Sequence, residues 1–371
     1  MPGAPVPPRT MMPAAPYGMY PQGARPPAKQ SSMARTLLLI AMVAVVAVLA
    51  IIIIKVATAS PDNPPPQPPV PPTTTATTPE PTPTPTETTP PPPPQPQWAN
   101  DDYQVPEPNL DPPPLPEGQT YGDAEDWMQA NALYGEPVPV PVRCEIPTDI
   151  DPSTASVEEL KTYLNDEVEC LMRIWGPALE AAGFTASRPP VNIYLSAIQS
   201  PCGKLPLQNA VFCPANQQIY YNPQITDSFP EYKHDAVAIA AVIAHEFGHA
   251  VQARSGISWG RWVWVAYYED NKDQPKVLNL KRRSEAQADC MAGVFVQSVT
   301  LALNIPQEEI DNNIAKMFYL MGDDVITGKP NIVGDHGLGN NRKAWFLRGT
   351  KTPTVSTCNA FSLDVPDDQV R

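Results

Sequence analysis

The chain has 371 residues, 51 of them proline, and a formal net charge of −14. That acidity, with no basic stripe, argues against a nucleic-acid partner, since anionic polymers are repelled. Proline crowds the first third of the chain, so a low-complexity part precedes one folded domain large enough for a substantial core.

Residues 1–35 are rich in Pro, Ala and Met and carry Arg9, Arg25, Lys29 and Arg35 but no acidic residue. With almost nothing to bury, this leader is expected to be disordered. From Thr36 to Ile54 the run TLLLIAMVAVVAVLAIIII is uncharged and long enough to cross a bilayer as one helix. The basic leader then belongs on the cytoplasmic side and everything after Lys55 outside, in a single-pass membrane topology. Ala57-Thr58-Ala59 imitates a signal-peptidase site, so secretion after cleavage is the alternative. Residues 55–117 form a Pro/Thr-rich linker that favours extended polyproline II. Such a spacer carries the following domain away from the membrane, in reach of cell-wall contact, and suits O-glycosylation.

The folded domain is read as residues 118–371. Leu160, Leu164, Val168, Leu171 and Ile174 recur at helical spacing within Val157–Phe184, where Pro177 is expected to bend or divide the helix. Val191–Leu195 reads as a strand, and Val211–Cys213 with Gln218–Tyr221 as a hairpin or adjoining strands. Asp235 is placed to cap a helix beginning at Ala236, and Gly256 to end it. The aromatic stretch Trp259–Tyr268 either packs in the core or lines a cleft. Further helices are expected over about Asn279–Leu303, Pro306–Met321 and Asn340–Arg348. Strands precede helices, which makes the class α+β, mainly helical with a small sheet.

The chemistry sits in His245-Glu246-Phe247-Gly248-His249. Four residues apart on a helix, His245 and His249 share a face and reach one Zn²⁺, while Glu246 stands ready to take a proton from water. Two chance histidines on a buried helix are the bland alternative, but the chain has only four histidines. A third ligand is needed. In Ser284-Glu285-Ala286-Gln287-Ala288-Asp289, Glu285 and Asp289 share a helix face. Glu285 completes a His₂Glu set and Asp289 orients a ligand histidine from behind; a solvated acidic pair beside Arg282 and Arg283 is the competing reading. His336, in Gly334-Asp335-His336-Gly337, is either a donor to a developing negative charge or a loop histidine satisfied by Asp335. His234 takes no role. Cys144, Cys170, Cys202, Cys213, Cys290 and Cys358 all follow the apolar run, so three disulfides are expected, among 15 pairings. Proximity pairs Cys202 with Cys213.

AHEFGHAVQ, SEAQADCMAG, PCGK…VFCPANQQIYYNP, MGDD, HGLGNNRKAWFLRG and CNAF resemble the bacterial predicted neutral zinc metallopeptidases, over about Pro190–Phe361. The resemblance implies a zincin-like domain with His245, His249 and Glu285 on the metal, Glu246 as base, Asp289 outside the ligand set and His336 in the family's HG motif. It also implies a Cys290–Cys358 bridge, both cysteines lying in family motifs, which leaves Cys144 with Cys170. The expectation is a membrane-anchored, extracytoplasmic zinc endopeptidase that binds one Zn²⁺ per chain and hydrolyses protein or peptide substrates. A catalytically silent zinc-stabilised binding domain and a wall-associated scaffold are the alternatives.

Overall fold

The computed structural model describes residues 96–332 and 334–371. The leader, the Thr36–Ile54 span and the linker up to residue 95 lie outside the described residues.

Composition assigns residues 96–117 to the linker, but they run along the folded body. Ala99 pairs with Val142, donating its N–H to Pro141 O, and Asp101 meets Arg143 at 2.8 Å. Further on, the buried Arg254 donates through Nη1 to Pro113 O at 2.8 Å and Pro114 O at 3.3 Å. A proline-rich strap has no N–H groups to spare, but its carbonyls remain good acceptors, and buried arginines supply the donors.

Helix α1 (Tyr121–Gln129) starts at a capping box in which Thr120 and Asp123 satisfy each other's backbone N–H groups. Helix α2 (Val157–Ala181) is capped the same way by Ser156 and Glu159 and passes through Pro177 without dividing. Proline there strips Arg173 O of its helical donor. Asn100 Nδ2, from the strap, donates to that carbonyl at 2.9 Å, so the expected break does not occur.

Five short strands follow: β1 (Val191–Ile193), β2 (Ile198–Ser200), β3 (Gly203–Leu205), β4 (Ala210–Cys213) and β5 (Gln218–Tyr221). β4 and β5 form the expected antiparallel pair, and β1 adds in parallel to β5, giving the order β1-β5-β4. β2 and β3 make a separate ribbon that periodicity did not signal, each being only three residues long.

Helix α3 (Ala236–Arg254) is the centre of the core. Asp235 caps it, its carboxylate accepting from Ala238 N at 2.9 Å, and Gly256 beyond its end has φ 78°. Among the described residues this is the helix long and apolar enough to cross a bilayer, yet 89% of that window is buried, so its apolarity is that of a core helix. Helix α4 (Ile257–Asp270) holds the aromatic stretch. Tyr121 packs on Trp264 and Tyr267, and Trp127 on Trp259, with ring centroids 5.2–5.8 Å apart, so these rings join α1 to α4.

Helix α5 (Gln274–Val299) packs against α3 on one side and α8 (Gly339–Gly349) on another. The expected helix over Pro306–Met321 is a π-turn at Glu309–Ile314 continued by α6 (Ala315–Leu320), followed by the short α7 (Asp323–Thr327). The fold is mostly helical with a small sheet. Three disulfides, Cys144–Cys170, Cys202–Cys213 and Cys290–Cys358, close it.

Candidate metal centre

His245 and His249 project from α3 toward α5. Gly248, between them, eases this approach: a Cβ there would lie 3.1 Å from Ala288 Cα, tighter than ordinary contact, so a larger residue would push the two helices apart by a few tenths of an ångström. Glu285 and Asp289, one turn apart on α5, are thereby brought to the histidines.

His245 Nε2 is 3.4 Å from Glu285 Oε2, and His249 Nε2 is 3.5 Å from Glu285 Oε1. All three donors lie within 4.8 Å of one another. Two ligands held at about 2.0–2.1 Å from a tetrahedral ion stand about 3.3–3.4 Å apart. The spacing, and a donor set of two imidazoles and a carboxylate, therefore fit zinc with a fourth position left for solvent.

Each ring is also held from behind. His245 Nδ1 lies 2.8 Å from Asp289 Oδ1, close without lining up as a hydrogen bond. Asp289 is itself gripped by Arg342 of α8, whose Nε and Nη2 donate to its two oxygens at 2.9 and 2.8 Å. Both members of this pair are buried. His249 Nδ1 lies instead 2.9 Å from the amide oxygen of Gln252.

Charge follows contact. Burial opposes a charged His245, but the Asp289 and Glu285 carboxylates outweigh it and push its pKa up to about 9. Burial likewise opposes an ionised Glu285, yet His249, His245 and His336 bring its carboxyl well below the usual range. Glu246 is buried, which raises its pKa against the pull of the two histidines. Its Oε2 accepts from Phe212 N at 2.8 Å, a backbone donor on strand β4 that fixes the carboxylate.

His336 occupies the loop between α7 and α8, 55% exposed, with Nδ1 3.1 Å from Asp335 and 3.6 Å from Asp323. The loop is wrapped around Asp323, whose Oδ2 accepts from the N–H groups of His336 and Gly337 at 3.0 Å each. Gly334 allows the wrap, since a Cβ there would fall 2.0 Å from Asp323 Oδ2. Although desolvation works against it, the two aspartates raise the His336 pKa, and the ring is in electrostatic reach of Glu285. Its ring thus has the Asp335 contact of a satisfied loop histidine, and its charge also favours an ionised Glu285. His234 is exposed at the surface, 2.9 Å from Asp151.

Three contributors escaped the sequence reading. Gln252 lies at the end of AHEFGHAVQ, Asp323 inside MGDD and Arg342 inside HGLGNNRKAWFLRG. The motifs containing them were visible. Gln252 stands three residues from His249, a helical spacing that could have found it, whereas Asp323 reaches His336 through a loop and Arg342 reaches Asp289 across 53 residues, where no local period applies.

A sequence family described as "Putative neutral zinc metallopeptidase" matches residues 150–361, more than half of the chain. The chain belongs to that family. Among similar proteins, Uncharacterized protein YpfJ of Escherichia coli K12 is 28% identical over 199 residues, spanning 52% of this chain and 68% of the relative. Uncharacterized protein Rv2575 of Mycobacterium tuberculosis H37Rv is 27% identical over 211 residues, 51% of this chain and 66% of its own length. No solved structure matches.

Proposed function

We propose that this chain is a zinc-dependent endopeptidase with a zincin-like domain, holding one Zn²⁺ per chain on His245, His249 and Glu285. The observation that carries the proposal is the convergence of those three donors at zinc spacing, with the buried carboxylate of Glu246 in the same helix turn. Family membership supports hydrolysis of peptide bonds. When bound, the ion would supply Lewis acidity, making water a better nucleophile and a peptide carbonyl a better electrophile.

The remaining roles fall to the chain. Glu246 is anchored through one oxygen by Phe212 N, which leaves its other oxygen to take a proton from the attacking water and return it to the leaving amine. Asp289 holds His245, with Arg342 keeping Asp289 itself in place. His336, with Asp323 and Asp335 favouring its charged form, donates to the negative charge that develops on the scissile carbonyl. The hydrophobic Thr36–Ile54 run anchors the chain, the leader 1–35 stays in the cytoplasm and residues 55–95 serve as a tether that reaches toward the cell wall. Three disulfides support a folded part on the oxidising side of the membrane.

Zinc content and peptide cleavage, measured together on the full chain, test this assignment. Glu246→Gln should keep its zinc while cleavage falls about 10²–10⁴-fold, the usual weight of a general base. His249→Ala and Glu285→Ala should lose both zinc and cleavage. Undiminished cleavage by Glu246→Gln would overturn the hydrolytic reading.

A further inference from the structure

The partner behind His249 is an amide, and an amide has two ends. The direction of every hydrogen bond around Gln252 can be decided. Its Nε2 donates to the backbone carbonyl of Ser284 at 2.8 Å and to Gln287 Oε1 at 3.0 Å. Its Oε1 accepts from Ser284 Oγ at 2.9 Å and faces His249 Nδ1 at 2.9 Å. Rotating this amide by half a turn would place its oxygen against Ser284 O, which can only accept. Gln287 is fixed by the same logic, with its Nε2 donating to Tyr134 Oη at 2.9 Å and to Cys358 O at 3.2 Å. The tyrosine hydroxyl then spends its own hydrogen on Met128 O at 2.9 Å. The chain of donors therefore ends on backbone carbonyls at Ser284, Cys358 and Met128, and none of its links can be reversed. Gln252 and Gln287 are both fully buried, so water offers neither an alternative partner.

We propose that Gln252 is a positioning residue that holds His249 as its Nδ1–H tautomer before any metal arrives. The fixed amide oxygen accepts at 2.9 Å, within hydrogen-bond reach, whereas the Glu285 carboxylate lies 3.5 Å from Nε2, so the neutral ring places its proton on Nδ1. The lone pair is then on Nε2, the atom 3.5 Å from Glu285 Oε1. Unaided, a neutral imidazole favours the other tautomer, which would present an N–H to an incoming cation. The inference rests on His249 being a ligand for its consequence, but the tautomer itself is a property of the metal-free protein. It also distinguishes the two histidines, because His245 is held by a carboxylate and His249 by a neutral amide that adds no charge to the centre.

The full chain labelled with ¹⁵N-histidine tests this directly, because its four histidines give few ring signals. In metal-free protein at a pH where the ring is neutral, His249, assigned by its loss in His249→Gln, should show a protonated Nδ1 and an unprotonated Nε2. Gln252→Met, nearly the same shape without an acceptor, should shift that ring toward the Nε2–H form. Its zinc affinity should fall about 10–100-fold, the usual effect of losing an outer partner. Gln287→Met, which leaves the acceptor in place, should keep the tautomer. Should Gln252→Met fail to fold, the parent's ring signals still decide the matter. An Nε2–H tautomer in the metal-free parent would overturn the proposal, as would an unchanged tautomer in folded Gln252→Met. A parent with the Nδ1–H ring that binds no zinc would uphold the proposal and instead refute the metal centre.

Discussion

The two flanks of the candidate centre are built differently. On one flank, helices α3 and α5 present His245, His249 and Glu285 from a dry interior where Asp289, Arg342, Gln252 and Gln287 lie fully or almost fully buried. On the other, His336 rides on a glycine-rich loop, half exposed, held by the partly buried Asp323 through backbone N–H groups. On the proposed function, the difference gives each flank its own part. A metal housing needs donors fixed to within a few tenths of an ångström, and dense packing with buried hydrogen bonds at Asp289 and Gln252 suits that need. A group that meets a substrate needs access instead. Damage to the housing should therefore cost metal and stability together, and damage to the loop should cost rate alone.

The strongest test strikes the housing at Arg342→Gln. It leaves the buried Asp289 without its guanidinium, with only His245 beside it, and removing one partner of a buried pair costs about 3–5 kcal/mol. Melting should drop sharply and zinc affinity should fall with it, in calorimetry and in competition with a chelator. A variant that melted like the parent would show that the buried pair is not part of the housing.

His336→Ala addresses the opposite flank. The loss of one preorganised donor should lower kcat/KM about 10²–10³-fold, with zinc content and melting temperature unchanged. If zinc left as well, the two flanks would be one unit and the comparison would fail.

Arg254→Met probes the strap at smaller scale. It deprives the carbonyls of Pro113, Pro114 and Thr185 of their donor, at a cost of about 1–3 kcal/mol, without touching the centre. Denaturant titration should register the loss, and zinc affinity should not change.

The smallest effect concerns Glu167, whose two oxygens are buried without a hydrogen-bond partner. Burial raises its pKa well above the usual 4.5, so the folded protein keeps a proton that the unfolded chain has released. The folded state then binds more protons than the unfolded state, and stability falls as pH rises from about 4.5 toward the raised value. Glu167→Gln removes that contribution, so its melting temperature should decline less than the parent's between pH 5 and pH 8. Parallel declines would place the carboxyl in contact with solvent.

The sequence exposed the housing better than the loop or the strap, for physical reasons. His245, His249, Glu285 and Asp289 lie on helices, where a spacing of four residues defines a shared face. The α3 boundaries were legible from Asp235 and Gly256 because caps are local chemistry. Arg342 was not, since its partner Asp289 is set by which helices meet, and Gln252, although three residues from His249 on the same helix, owes its orientation to Ser284 and Gln287 on another. Pro177 does not divide its helix, and the donor that serves the carbonyl it strips, Asn100, lies 73 residues away, beyond any local signal. Proline-rich composition misled for residues 96–117, where the backbone carbonyls, invisible to composition, tie the chain down.

That strap has a mechanical meaning. Any tension on the N-terminal chain is first resisted where Ala99 pairs with Val142 and Asp101 meets Arg143, far along the sequence from α3. Those contacts, the Asn100 bond to α2 and the bonds of Tyr103, Pro106 and Asn109 to Arg173 and Arg188 all precede Pro113, which Arg254 links to the last turn of the helix that carries both histidines. On the proposed topology the strap would act as a strain relief, absorbing a load on the tether before it could distort the spacing of the candidate donors.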